Sequence, residues 1–291
     1  MGEADRTVEH DCMPDVPAPE SPYRAKLVFA LLLAGMFGGA FFISPSQPFL
    51  ERMPRGDALP VDIPDFAEIV DVEEKKQEFF SFLQPFVDAQ NSRIQQQREQ
   101  LLAIVNKLER SPQLSRQEQT LLHTLSVDYG LETDNVEDEV HALLDRLLRR
   151  VDLLPPSLVL AQAANESAWG TSRFALEANN YFGQWCYSEG CGIVPSRRGA
   201  TATHEVRSFD SVEDSVAAYF MNLNTFSSYR DLRLIRESLR ASSSPIDGIS
   251  LAQGLQSYSE RGEEYISELE DMIRYNDLLE LDLQLTPLQQ H

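Results

Sequence analysis

Glu166 is the residue whose type and surroundings most favour chemistry. It lies near the end of a predicted helix with small apolar neighbours, SLVLAQAANESAWG, and Trp169 follows three positions later. A carboxyl group in such surroundings loses hydration in its charged form, so its pKa should rise. A carboxylic acid that stays protonated near neutral pH can donate a proton to a leaving oxygen. The alternatives are pairing with a base such as Arg173, or a solvated helix end.

Cys186 and Cys191 form a second pattern with chemical meaning. They lie five positions apart in WCYSEGCG, where Gly190 and Gly192 permit a tight turn. Cys12 stands alone near the start of the chain. One close pair and one distant thiol favour a disulfide in an oxidising compartment. Two unpaired thiols in a loop are the alternative.

The elements that position these residues are mostly helices. The helix that carries Glu166 is predicted to begin at Pro156, because proline suits the first turn. Residues 169–209 contain many glycines and aromatic residues and are predicted to form loops and a short hairpin. Helices resume after Ser211, where Asp214 three positions on is typical of a helix start. This pattern predicts an α+β fold that is predominantly helical.

Residues 65–150 show helical periodicity without a catalytic constellation. Pro85 is predicted to kink or break the first helix. A second helix is predicted to start at Ser115, where Glu118 completes a capping box, and a third to run from about 135 to 150. The region is interpreted as a helical accessory module, and a protein partner could bind it.

Residues 27–43 read LVFALLLAGMFGGAFFI, a run of 17 without a polar side chain. At ~1.5 Å per residue this run is at the short limit for spanning a bilayer. A cleavable signal peptide is the alternative, since Gly38 and Ala40 have cleavage-site spacing. The 26 preceding residues carry six acids against three bases, unlike a basic signal-peptide start, which favours an uncleaved anchor. The cysteine pair then places the longer side outside the cytoplasm.

These features divide the chain into six predicted segments. They are a cytoplasmic tail at 1–26, the anchor at 27–43, a Pro-rich linker at 44–64, the accessory region at 65–150, a main domain at 151–282 and a tail at 283–291.

Composition excludes some functional classes. The 291 residues include 25 basic and 46 acidic side chains, for a net charge of −21. Nucleic acid is therefore not an expected partner, because phosphate contacts need a basic face. Five scattered His and three Cys do not supply a Cys₄ or Cys₂His₂ zinc site. We find no motif that requires a metal or cofactor.

Three segments resemble the glucosaminidase domain of glycoside hydrolase family 73. They are AQAANESAWGTSRFALEANNYFGQW, FDSVEDSVAAYFMNLNTFSSYRDLR and LQSYSERGEEYISELEDMIRYNDL. The cysteine loop, the anchor and the N-terminal helical region are similar to Bax-type members of that family. The resemblance covers about residues 150–280.

This resemblance implies a lysozyme-like fold, in which a small β lobe lies across a groove. It implies that Glu166 is the general acid. The implied substrate is the peptidoglycan glycan strand, cut at the β-1,4 bond between N-acetylglucosamine and N-acetylmuramic acid. The implied location is the periplasmic side of a bacterial inner membrane, with one membrane span.

Glycoside hydrolysis also needs a second group, which can be a nucleophile, a base that activates water, or the substrate's own N-acetyl oxygen. Glu205 is the first candidate because its predicted strand leads directly into the FDS motif, and Glu189 is the second. Tyr258 matches a family tyrosine thought to support the reaction near the N-acetyl group.

Four further residues are candidates for substrate binding: Trp169, Asn180, Phe182 and Trp185. Trp169 and Phe182 also suit the core, and Asn180 suits a turn before Phe182. Trp185, beside the cysteine loop, is the strongest candidate for a sugar contact.

Two other functions compete with this interpretation. A lytic transglycosylase or muramidase also uses Glu-Ser at a helix end, but usually with a G-L-M-Q type segment where this chain has Asn180-Tyr181-Phe182-Gly183. A non-catalytic cell-wall-binding scaffold is the other. An intact Glu166 in an intact motif argues against the scaffold.

Overall fold

The computed structural model describes residues 62–111, 113–131, 140–196, 198, 202–283 and 285. Within these ranges the fold is predominantly helical with one small antiparallel sheet, which confirms the predicted class. None of the described helices combines the length and apolar character needed to cross a bilayer. The predicted anchor at 27–43 lies outside the described residues.

Ten α-helices and three strands are described. The helices are α1 (Val72–Leu108), α2 (Arg116–Asp128), α3 (Val140–Arg150), α4 (Pro156–Ser167), α5 (Arg173–Ala178), α6 (Val212–Thr225), α7 (Arg230–Ala241), α8 (Gly248–Ala252), α9 (Glu263–Tyr275) and α10 (Leu279–Asp282), and the strands are β1 (Trp185–Cys186), β2 (Gly192–Ile193) and β3 (Glu205–Arg207). Short 3₁₀ turns at Ser227–Tyr229 and Gln253–Leu255 precede α7 and follow α8.

Helix α1 continues through Pro85, so of the two predicted outcomes, a kink or a break, the break was wrong and the kink stays a prediction. Proline removes the N–H that would bond to the carbonyl of Ser81. Pro85 and Ser81 are both exposed, so water can satisfy that carbonyl. On the opposite face, Leu83 and Val87 are buried in the core. Apolar burial therefore keeps the helix intact across the proline.

Helix α1 packs against α4 and α6, and one continuous core includes residues from all three. The side chain of Asn91 donates to the carbonyl of Leu154 over 2.8 Å and accepts from the N–H of Leu154 over 3.1 Å. Arg98 bonds to the carbonyls of Leu148 and Val151 and forms a 3.3 Å ion pair with buried Asp152. The long helix thus fixes the chain just before α4.

Helix α4 is the central element for function and is buried along most of its length. Pro156 occupies its first turn, as predicted. Asp282 of α10 caps this end, accepting from the N–H of Ser157 over 3.0 Å and from the N–H of Gly248 over 3.0 Å. At the other end, Ala168 takes a left-handed conformation and ends the helix directly after Glu166 and Ser167.

The sheet has the order β1-β3-β2, and both pairings are antiparallel. It confirms the predicted β element and adds a third strand to it. Gly192 lies opposite Arg207, and a Cβ at Gly192 would come within 1.9 Å of the carbonyl oxygen of Val206. Only glycine permits this close approach. The Cys186–Cys191 disulfide joins β1 to the turn before β2, which confirms the predicted pairing.

Candidate active site

Glu166 lies at the carboxyl end of α4, where the helix stops and the chain reverses. Ala168 and Trp169 both have positive φ, 50° and 59°, so the backbone leaves the helix axis at once. Glu166 is half-buried. Protein therefore surrounds the carboxyl group, although the residue as a whole keeps some exposure.

Burial raises the pKa of Glu166 to about 7, because the surroundings disfavour the charged form. Two neighbours oppose this rise. The hydroxyl of Tyr265 on α9 donates a 2.9 Å hydrogen bond to Oε1, and the positive charge of Arg261 favours the carboxylate. Glu268 adds to the rise through charge repulsion. A protonated Glu166 is therefore populated near neutral pH, as a proton donor requires.

Gly183 faces the second oxygen of Glu166. A Cβ built at Gly183 would lie 3.5 Å from Oε2, and the residue has φ of +63°. The position therefore has no side chain next to the carboxyl oxygen, and its backbone conformation favours glycine. The neighbour of Oε2 at this point is thus backbone without a side chain.

Tyr258 lies close to the same point. Its hydroxyl donates to the carbonyl of Phe182 over 3.0 Å, directly before Gly183. Its ring stacks on Tyr265 with a centroid distance of 5.6 Å and an interplanar angle of 5°. Tyr258 is half-buried. The structure therefore brings Glu166, Tyr265 and Tyr258 into one contiguous group.

Glu205 lies in the sheet and is held by the cysteine loop. Its Oε1 accepts from the N–H of Gly190 over 3.2 Å, and its Oε2 accepts from the N–H of Gly192 over 2.8 Å. These bonds hold the pKa of Glu205 below its usual value. The residue is only 6% exposed. Its two oxygens thus fix the turn closed by Cys186 and Cys191.

The four binding candidates separate into buried and half-buried positions. Phe182 is buried and stacks on Tyr219 at 4.1 Å. Asn180 is buried, and its amide donates to the carbonyls of Gln184 and Arg207 at 2.8 Å each. Phe182 therefore lies in the core and Asn180 holds a turn, which are the positions that their sequence context favoured.

The two tryptophans are half-buried. Trp169 packs edge-on against Phe79 and Phe80 of α1 at 5.7 and 5.3 Å. Trp185 stacks in parallel with His204 at 4.1 Å, on the strand that leads from Gly183 into the sheet. Trp185 is therefore the binding candidate placed on the β side of the site, and its sugar contact stays a prediction.

Tyr265, Gln162 and Gly183 are functional candidates that the sequence analysis did not single out. Each lies inside one of the quoted motifs, but none has a residue type that marks it apart from a core or turn residue. The available signal for Tyr265 was its position seven residues after Tyr258 in the same quoted motif. Its contact with Glu166 depends on how α9 packs against α4.

Cys186, Cys191 and Glu205 have potential metal-ligand atoms within 4.8 Å of one another. Both sulfur atoms are joined in the disulfide, and both carboxylate oxygens accept backbone N–H bonds. The group therefore serves to close the loop in this structure.

Comparison with known proteins agrees with the resemblance seen in the sequence. Residues 142–278 match the family model described as Glucosaminidase: Mannosyl-glycoprotein endo-beta-N-acetylglucosaminidase. The chain is also similar to Protein bax of Escherichia coli (strain K12), with 29% identity over 225 residues that cover 77% of this chain and 78% of that protein. No solved structure gives a significant match. The family match contains Glu166, Glu205, Tyr258 and Tyr265.

Proposed function

We propose, from the premise that residues 142–278 form a glucosaminidase-family domain, that this chain is an N-acetylglucosaminidase of peptidoglycan. The family indicates a glycosidase-type enzyme. The bond cut would be the β-1,4 link between N-acetylglucosamine and N-acetylmuramic acid. A helical body with a small sheet beside the acid supports a lysozyme-like arrangement of this domain.

The observation that carries the proposal is the state of Glu166. The carboxyl group belongs to a half-buried residue at a helix end, its pKa is raised to about 7, and Oε2 lies next to the side-chain-free position Gly183. Such a group can protonate the glycosidic oxygen as the bond to the sugar breaks. The resulting carboxylate is stabilised by the hydrogen bond from Tyr265 and by the charge of Arg261.

Tyr258 is the better placed of the two leading candidates for the second role. It is half-buried and reaches the strip of chain at Phe182 and Gly183 that faces Glu166. Glu205 is more deeply buried, and its oxygens accept two loop N–H bonds. We therefore propose that the substrate N-acetyl group, supported by Tyr258, performs the second role, while Glu205 shapes the β lobe.

The deciding experiment is product analysis on purified peptidoglycan. A new reducing end on N-acetylglucosamine is expected. A reducing or anhydro muramic end would instead support the muramidase or lytic transglycosylase alternative. Glu166→Gln should abolish most of the product, and Glu177→Gln, the same change at an exposed position on α5, should not. Wild-type binding without any product would support the scaffold alternative.

We also propose that residues 27–43 anchor the protein in the inner membrane with the domain in the periplasm. The disulfide between Cys186 and Cys191 supports an oxidising compartment. A C-terminal alkaline phosphatase fusion should be active, and the protein should stay in the membrane fraction after a salt wash. Recovery of a soluble chain that begins near Phe41 would show a cleaved signal peptide instead.

A further inference from the structure

A row of buried hydrogen bonds runs from α6 through α4 to Glu166. The hydroxyl of Tyr219 on α6 donates to Oε1 of Gln162. Nε2 of Gln162 donates to the hydroxyl of Tyr265 over 3.0 Å, and Tyr265 donates to Oε1 of Glu166 over 2.9 Å. Tyr219, Gln162 and Tyr265 are at most 1% exposed. We refer to these three residues as the relay.

All three bonds of the relay point the same way, toward Glu166. A tyrosine hydroxyl carries one hydrogen, and a glutamine amide offers donors on one side and an acceptor on the other. The donors of Gln162 face Tyr265, so the hydroxyl hydrogen of Tyr265 points to Glu166 instead. Oε1 of Glu166 is thus an acceptor in both protonation states.

We propose that Tyr265, supported by Gln162 and Tyr219, is a positioning residue that occupies Oε1 of Glu166 and assigns the transferable proton to Oε2. Oε2 is the oxygen next to Gly183, which has no side chain, whereas the hydrogen bond from Tyr265 is on Oε1. This inference deepens the proposed function and rests on it for the identity of the proton acceptor.

The same arrangement helps the acid after the proton has left. The bond from Tyr265 becomes charge-assisted when Glu166 ionises, and such bonds are about twice as strong as neutral ones. Burial raises the pKa of Tyr265 well above its usual value, so this hydroxyl keeps its hydrogen. The relay thus favours release of the proton from Oε2 while holding the carboxyl group in one orientation.

Several other groups face Glu166 and must be considered in any pH measurement. Arg261, in the turn before α9, is positive and forms a 2.6 Å ion pair with Glu268. Tyr258 and Tyr229 also interact with the charge of Glu166, and burial raises the pKa of both above the usual tyrosine value. These tyrosines therefore stay neutral over the range in which Glu166 titrates.

The test is the ionisation of Glu166 in Tyr265→Phe, measured on the full-length chain. Carbon-13 NMR of labelled glutamate carboxyl groups follows the titration directly, and loss of the signal in Glu166→Gln assigns it. Phenylalanine keeps the ring but removes the donor, so the midpoint should rise by about one pH unit. The alkaline limb of kcat/KM on peptidoglycan should move by the same amount, with kcat affected more than KM.

Tyr275→Phe is the matched control, since Tyr275 is on the same helix but is 73% exposed. It should leave the midpoint unchanged. An unchanged midpoint in folded Tyr265→Phe would overturn the inference. If Tyr265→Phe does not fold, Tyr219→Phe replaces it. A smaller rise in that variant supports the relay, and an unchanged midpoint overturns it. Because the NMR titration needs no turnover, failure of the relay is distinguishable from failure of the proposed function.

Discussion

Tyr265 donates a hydrogen bond from its hydroxyl to Oε1 of Glu166 over 2.9 Å, although 99 positions separate the two residues. This bond lowers the pKa of the carboxyl group, while burial raises it by more. The balance sets the pKa of Glu166 to about 7 and makes the group an acid suited to neutral pH.

The first prediction concerns pH and rate. Glu166 must be protonated to act, so hydrolysis of peptidoglycan should decline as pH rises through about 7. Initial rates measured between about pH 5 and 9 would show this alkaline limb. A rate that stays flat to the top of that range would contradict the role of Glu166 as acid.

The second prediction concerns pH and stability. The folded pKa of Glu166 is raised above its unfolded value, so its stabilising contribution is complete below the unfolded pKa and is lost as pH rises through about 7. Near pH 8, Glu166→Gln should therefore have a free energy of unfolding about 1–3 kcal/mol larger than that of the wild type. Urea denaturation of both proteins measures this difference. Near pH 4 the two proteins should be equally stable. Equal stability at both pH values would show that the carboxyl group is well hydrated.

The third prediction separates Glu205 from Tyr258. Glu205→Gln replaces one carboxylate oxygen with an NH₂ group, which cannot accept the hydrogen bond from the backbone N–H of Gly190 or Gly192. The variant should therefore destabilise the loop. Tyr258→Phe should reduce kcat more, if the N-acetyl group performs the second role. Rates of both variants on the same peptidoglycan, with circular dichroism to check folding, decide between them. A folded, stable Glu205→Gln with little activity would return the second role to Glu205.

The fourth prediction concerns the disulfide. Changing both Cys186 and Cys191 to serine should lower the free energy of unfolding by about 2 kcal/mol, because the closed loop is short. Peptide mass mapping of exported protein should find these two cysteines bridged and Cys12 reduced. Free thiols at both positions in exported protein would contradict the structure and the proposed compartment together.

The fifth prediction concerns α1, which lies outside the family match. Asn91→Ala removes both bonds to the backbone of Leu154 and leaves buried polar groups without partners, so it should cost about 1–3 kcal/mol of stability. Gln96→Ala, on the exposed face of the same helix, is the control and should be nearly neutral. If both variants are neutral, the contact between Asn91 and Leu154 adds little to stability, and the interpretation of residues 65–150 as an accessory module is favoured.

Features that depend on neighbours in the chain were predictable from the sequence. The capping box of Ser115 and Glu118 and the helix start at Ser211 are both confirmed. They involve bonds across three residues, which residue type and spacing determine directly. The position of Glu166 near the end of an apolar helix followed from the same local patterns, and so did its raised pKa.

Features that depend on packing between distant segments were decided by the tertiary structure. The helix continues through Pro85 because the opposite face of the helix packs in the core. Glu205 binds the cysteine loop because the sheet closes with β3 between β1 and β2. The partner of Glu166 depended on the contact between α4 and α9, about 100 residues apart in the chain. Periodicity shows which face of a helix is apolar, but not which other helix covers it. The sequence by itself therefore determined where the acid lies and why its charge is disfavoured. Only the packing of the helices decided which hydroxyl group donates a hydrogen bond to the carboxyl group of Glu166.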